Sequence, residues 1–261
     1  MVEGVCKLCL EMKPLQESHF IPAALYPRGR KLSIATRDRR LVALDSKDKH
    51  IKDYVLCSDC EQRFDRNGES EVLYWVSPKS KTFRLRERLK LALPRDYNPS
   101  DPDQSINRYS GNDIGVNVEK FAYFAISVIW RGAAHDWVLP DGKMRPHDAL
   151  GDFVEPMRLY LLGQASFPPH TSVIVIVGSD DESRRVWTIP GAHVEADCLN
   201  FRFQIFGVMF RVLMGHRQWD YFRDHSCTSP RKCIFYGSMK HRMPEIMQIF
   251  EDAESQLKVP N

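Results

Sequence analysis

The strongest constraint on this chain is a repeated pair of cysteines. Cys6-Lys7-Leu8-Cys9 lies near the start, and Cys57-Ser58-Asp59-Cys60 follows after a gap of 47 residues. Two such CxxC knuckles supply four thiolates in pairs, the donor set of a tetrahedral structural zinc site. One CxxC alone reads equally well as ordinary free or redox-active thiols; the second pair favours metal, because all four sulfurs then serve one ion. The gap is longer than that of a simple zinc ribbon, so a hairpin or loop has to fit inside it.

Composition sets the outer bounds. With 261 residues, 43% hydrophobic and 11% aromatic, the chain can build a core and does not have the signature of disorder. It is long enough for one large or two smaller domains. No apolar run approaches membrane-spanning length, and the first residues lack the apolar region of a signal peptide. Seven cysteines, four of them in CxxC pairs, fit a reducing compartment, so a cytoplasmic protein with no membrane partner is expected. Charge is uneven: residues 1–95 hold 20 Lys and Arg against 13 Asp and Glu, and residues 96–261 hold 17 against 21. A basic first part beside a mildly acidic second part points to a polyanionic partner for the first.

Between the cysteine pairs lies Ser18-His19-Phe20-Ile21-Pro22, a His on a strand-like apolar run. Imidazole titrates near working pH, so His19 is a candidate general base; a hydrogen-bonded strand residue and a further zinc ligand are its other readings. Glu61 follows the last Cys directly, at the start of a helix expected from Asp59 to about Arg66 and stopped by Asn67-Gly68. Asp65 lies one turn beyond Glu61. The stretch from Tyr26 to Arg40 carries Arg28, Arg30, Lys31, Arg37, Arg39 and Arg40, either as a solvated loop or as phosphate contacts. Short strands are expected at Leu32–Thr36, Leu41–Ala43 and Tyr54–Leu56.

The two knuckles, the His19-Phe20-Ile21-Pro22 element and the Cys60-Glu61 junction together resemble the HNH (ββα-metal) endonucleases in their zinc-stapled, treble-clef form. The resemblance covers the N-terminal quarter of the chain. It implies a structural Zn²⁺ on the four cysteines, His19 as the base that deprotonates water, and one catalytic Mg²⁺ or Mn²⁺ on Glu61 and Asp65. It implies Asp53 near the place of the family's central Asn. It also implies hydrolysis of nucleic-acid phosphodiester bonds, with DNA favoured over RNA, and a setting such as bacterial defence, with a homo-oligomer or a defence partner protein. Three positions depart from the pattern: Ser18 where an acidic ligand often precedes the His, Asp53 for the Asn, and Glu61 for the final His or Asn. They keep open a different class, a zinc-stapled module that binds nucleic acid or protein without catalysis.

The remainder reads as α+β. A basic helical arm is expected over Ser80–Leu93, with Leu85, Leu89 and Leu93 on one stripe. Residues 96–115, dense in Pro, Asn, Asp, Ser and Gly, read as a linker between a module at 1–95 and an α+β domain at 116–261 of unspecified role, recognition or regulation. Helices are expected over Val118–Ala134 and Leu150–Gly163 and from Pro244 to the C-terminus. Strands are expected at Thr171–Val177, Val186–Ile189 and Leu199–Phe206, while Phe206–Met214 fits either type. His225, Cys227 and Cys233, with His193, Cys198 and His216 upstream, have no common knuckle spacing and read as buried or incidental before they read as a second metal site. No phosphate-binding loop or nucleophile-elbow motif is present.

Overall fold

A computed structural model describes residues 2–26, 32–35, 41–44, 50–77, 79–95, 106–139, 142–144, 148–195, 198–216 and 223–239. The chain mixes α and β, with the possible metal-binding cysteine cluster at its N-terminal end.

β1 (Val2–Val5) and β2 (Met12–His19) form an antiparallel hairpin whose connection is the first knuckle. β3 (Leu32–Ala35) and β4 (Leu41–Leu44) pair with each other, and β5 (Lys52–Cys57) adds to β2. A bulge at Gln16/Glu17 breaks the period-2 alternation of β2. Burial therefore falls on Leu15 and then Ser18, and His19 turns toward the opposite face.

α1 (Ser58–Phe64) leaves β5 directly. Asn67-Gly68 does not stop it. The helix passes through a five-residue π turn at Asp65–Glu69 and continues as α2 (Ser70–Val76). The glycine serves packing instead: a Cβ at Gly68 would lie 2.9 Å from Phe124 N and 3.1 Å from Lys120 O, both backbone atoms of a crossing helix. α3 (Arg84–Lys90) is shorter than the expected arm; Leu85 and Leu89 are buried, but Leu93 is 91% exposed and off the helix.

Of the expected linker, residues 106–115 are described and are structured. β6 (Asn107–Ser110) is the edge strand of the large sheet, and α4 (Gly111–Ile114) follows, ending at Gly115 in the left-handed conformation. Turn-forming residues there close a short helix without excluding an edge strand, whose partner, Cys233–Gly237, lies far off in sequence. α5 (Val118–Ala134) has the expected bounds, with the Asn117 side chain accepting from Lys120 N at its start. β7 (Trp137–Leu139) and β8 (Gly142–Met144) form a small hairpin. The expected Leu150–Gly163 helix is broken at Gly151 (φ 44°, ψ −124°) into a 3₁₀ segment, Asp148–Phe153, and α6 (Val154–Leu162).

β9 (Thr171–Gly178), β10 (Gly191–Glu195), β11 (Cys198–Ile205), β12 (Val208–Met214) and β13 (Cys233–Gly237) join β6 in one sheet of order β10-β11-β12-β9-β13-β6. Only the β9–β13 pair is parallel. Val186–Ile189 contributes no strand, only the bridge of Trp187 to Ile205. The apolar run of β9 is buried on both faces: Val173, Val175 and Val177 join the main core, while Ile174 and Ile176 join a smaller cluster with Met209 and Phe235.

The main core is continuous. It takes in Phe20 and Phe64 from the N-terminal part, Phe121 and Trp130 from α5, and Phe203 and Phe210 from the sheet. Phe124 packs at 5.3 Å from the Phe210 ring, and Phe203 stacks on Phe210 at 4.8 Å. Trp187 donates from Nε1 to Leu25 O at 3.0 Å, which ties the sheet to the turn after His19. Among the described residues no helix is long and apolar enough to cross a membrane. The C-terminal helix expected from Pro244 lies outside the described residues.

Candidate functional site

The four cysteines converge. Cys6 and Cys9 flank a tight turn in which Leu10 N donates to Cys6 O at 2.8 Å and Leu10 takes a left-handed φ of 62°. Cys57 ends β5 as the residue before α1, and Cys60 lies in the first helical turn. The four Sγ atoms all lie within 4.8 Å of one another, with Cys9 and Cys57 at 4.0 Å. A Zn–S bond of about 2.3 Å in a tetrahedron puts the sulfurs roughly 3.8 Å apart. The donor set and its spacing fit a zinc-like ion that draws the sulfurs slightly inward.

The surroundings favour thiolate at Cys6, while burial disfavours it at Cys9. The Cys60 thiol bonds to the Cys6 sulfur, and backbone amides, including Cys57 N at 3.3 Å, point at it; despite burial, these hold Cys6 far below the usual thiol range, at about 4. The same contact with Cys6, with burial, pushes Cys60 up. One shared set of protons is thus displaced together when a cation enters. Arg158 of α6 donates from Nη1 to Leu8 O at 2.7 Å and grips the knuckle from outside, while its other nitrogens bind Glu155.

His19 closes β2 opposite Lys52 and is not part of the sulfur cluster. Its ring meets His50 edge-on at 5.1 Å and Tyr26 at 6.2 Å, and Tyr26 stacks on His50 at 4.3 Å. Burial, then the charges of His50 and Lys52, hold His19 below the ordinary His range; Glu17 and Glu61 pull the other way. The imidazole is therefore neutral at neutral pH and able to accept a proton.

Glu61 acts on it through its charge. Placed by the Cys60 anchor on α1, its charge is felt by both His19 and Arg131. Its Oε1 is buried and has no hydrogen-bond partner among the described residues. A buried carboxylate oxygen is costly without a partner, so this atom would gain from a donor or a cation.

The other expected residues lie elsewhere. Asp53 pairs with Ser18 in register and does not orient His19; its carboxylate holds His135 Nε2 at 2.9 Å and accepts from Tyr54 N. Burial raises the Asp53 carboxyl, but the bond to His135 and the Tyr54 amide outweigh it and the net shift is downward. Asp65 is exposed one helical turn beyond Glu61, its N–H bonded to Glu61 O, and its carboxylate accepts from Ser70 Oγ at 2.6 Å. Ser18 is buried and structural: its Oγ accepts from Leu56 N at 3.0 Å across the bulge. Arg28, Arg30, Lys31, Arg37, Arg39 and Arg40 lie outside the described residues. Among the described residues, only the four cysteines form a cluster of three or more ligand groups. Cys227 bonds to Cys233 O and Cys198 to Met214 O, as buried thiols do.

Four residues that sequence reasoning left out complete the surroundings. His50 and Tyr26 flank His19. Arg131 of α5, almost fully buried, forms an ion pair with Glu69 of the π turn and lies over the Phe64 ring at 4.5 Å. Burial pushes the Glu69 carboxyl up against the opposing pull of Arg131. We take the pair as ionised, because a buried guanidinium stays charged and needs its counter-charge. The signal was legible: Arg131 continues the stripe of Phe124 and Val128 at helical spacing, a charge on an otherwise buried face.

No family model matches the chain, and no curated protein or solved structure matches it at a significant level. The geometry alone carries the functional reading.

Proposed function

We propose that this chain is a metal-dependent endonuclease of HNH type, hydrolysing phosphodiester bonds, with DNA the favoured substrate. The supporting observation is a half-buried His19, held below the ordinary His range, that feels the charge of Glu61, whose Oε1 is buried without a partner among the described residues and which follows Cys60 of the four-cysteine cluster directly. The zinc staple fixes β2, β5 and α1, which are too small to hold this geometry by burial alone. His19 accepts the proton of a water whose oxygen attacks phosphorus. Glu61 would hold Mg²⁺ or Mn²⁺, hard cations that prefer oxygen donors. Such an ion supplies stabilisation of charge on the scissile phosphate and the leaving oxygen. The basic residues between 28 and 40 would contact flanking phosphates. The second half would govern substrate choice or activation, and a role in defence against foreign DNA fits this reading.

A second reading has its own observation. Asp53, Asp65 and Ser18 each have a structural partner, and among the described residues Glu61 belongs to no cluster of three or more ligand groups. A zinc-stapled binding module without catalysis would look the same. Supercoiled plasmid and RNA, incubated with wild type and His19→Ala in EDTA, Mg²⁺ or Mn²⁺, separate the two. Metal-dependent cleavage lost in His19→Ala, with zinc content unchanged, supports the nuclease. Cleavage retained in His19→Ala rejects His19 as base, and salt-sensitive binding without cleavage by wild type supports the module.

A further inference from the structure

Glu61 shares its surroundings with a buried charge pair drawn from two distant segments. An ordinary α-helix would leave Glu69 well round the axis from Glu61. The π turn at Asp65–Glu69 inserts one residue, so eight residues span about two turns and Glu69 returns to the side that carries Glu61. There it meets Arg131, which α5 brings in because Gly68 lets the two backbones touch. Arg131 is held from several sides: Phe64 lies under its guanidinium, and its own carbonyl accepts from Trp137 Nε1 at 2.9 Å. Its Nε has no partner among the described residues, and neither has Glu61 Oε1. The two carboxylates both act on Arg131, yet only Glu69 bonds to it.

We propose that Glu69 is a positioning residue that engages Arg131 and so keeps Glu61 available to a divalent cation, an assignment that rests on the nuclease reading above. One cation acted on by two carboxylates can neutralise one of them fully; Glu69, which bonds to Arg131, takes that role, and Glu61 is left with an unpartnered oxygen. Without Glu69, Arg131 turns its charge on Glu61 and competes with the metal. The second half of the chain thereby enters the site through α5, not as an appended domain but as part of its electrostatics.

The test is Mn²⁺ binding to zinc-loaded protein, by calorimetry and by the loss of the free-ion electron paramagnetic resonance signal, with zinc content and circular dichroism as checks on folding. Glu69→Gln, although it touches no metal, is expected to weaken Mn²⁺ by about tenfold. Arg131→Met is expected to bind at least as tightly as wild type. The double variant Glu69→Met/Arg131→Met, an apolar replacement of a buried pair, is expected to return to within about threefold of wild type. A purely structural role would weaken all three variants alike. If Glu69→Gln does not fold, the other two variants carry the test: with Arg131 gone Glu69 no longer matters, so Arg131→Met and the double variant should bind within about threefold of each other, and a larger gap overturns the proposal. Equal affinity in wild type and folded Glu69→Gln, or a double variant no better than Glu69→Gln, overturns the proposal while leaving the nuclease reading intact. Wild type that binds no Mn²⁺ beyond its zinc overturns both.

Discussion

Gly68→Ala puts helix propensity against packing. Within a helix the exchange ordinarily gains about 0.5–1 kcal/mol, since glycine loses the most backbone freedom on folding. Here the added Cβ would lie 2.9 Å from Phe124 N and 3.1 Å from both Lys120 O and Phe124 Cα. Relaxed non-bonded contacts lie at about 3.5–4.0 Å, so the helices must part by roughly half an ångström or more. The obstructing atoms are backbone, so no side chain can swing aside. Overpacking of this kind costs about 1–3 kcal/mol, and separation also loosens the contacts of Phe64 and Phe124. The packing cost wins, leaving a net loss of about 1–2 kcal/mol. For a chain of this size that is a fall in Tm of roughly 2–8 °C. Thermal melts of zinc-loaded protein, followed by circular dichroism, would measure it. An unchanged or raised Tm would refute the close helix crossing, and with it the reason that Asn67-Gly68 does not end the helix.

Other perturbations probe separate parts of the site. Cys57→Ser should lower bound zinc well below about one equivalent and destabilise the N-terminal part, because metal binding and folding are coupled; full zinc content by atomic absorption would contradict the four-sulfur site. His19 is held below the ordinary His value of about 6.5, and on the nuclease reading its neutral form would be the base. Cleavage should therefore persist as pH falls through 6.5 and fail only below it, so an acidic limb of kcat/KM near 7 or above would remove His19 from that role. Asp53 has a depressed pKa, so its bond to His135 contributes above the unfolded value of about 3.9 and is lost as pH falls through the folded one. Asp53→Asn should cost only about 0.2–1 kcal/mol at neutral pH, this pair being partly exposed, and urea titrations showing a loss several times larger would give it a different role.

What the sequence disclosed follows the strength of each local signal. The four cysteines were legible because their chemistry allows one common purpose, and α5 because its apolar stripe is long and uninterrupted. The run Thr171–Val177 announced a strand buried on both faces by lacking any polar alternation. Elsewhere the deciding partner was distant. Asn67-Gly68 has the form of a helix stop, but Gly68 answers to α5, more than fifty residues later. Residues 107–110 look like part of a linker until β13 gives them an edge to pair with. Leu93 has helical spacing but no surface to cover. Asp53 and Asp65 have the right chemistry for the site, and His135 and Ser70 claim them first. Arg131 carried a signal of another kind, a charge on a buried stripe, which points to a partner without naming it.

On the proposed reading this fold would hold two metals of different character, zinc on sulfur and a second cation on Glu61. Anomalous diffraction from crystals soaked in Mn²⁺, recorded at the zinc and manganese edges, tests it directly. The account predicts a zinc peak among Cys6, Cys9, Cys57 and Cys60 and a separate manganese peak within bonding distance of Glu61 Oε1. Manganese bound elsewhere, or Glu61 still without a cation at saturating Mn²⁺, would contradict it.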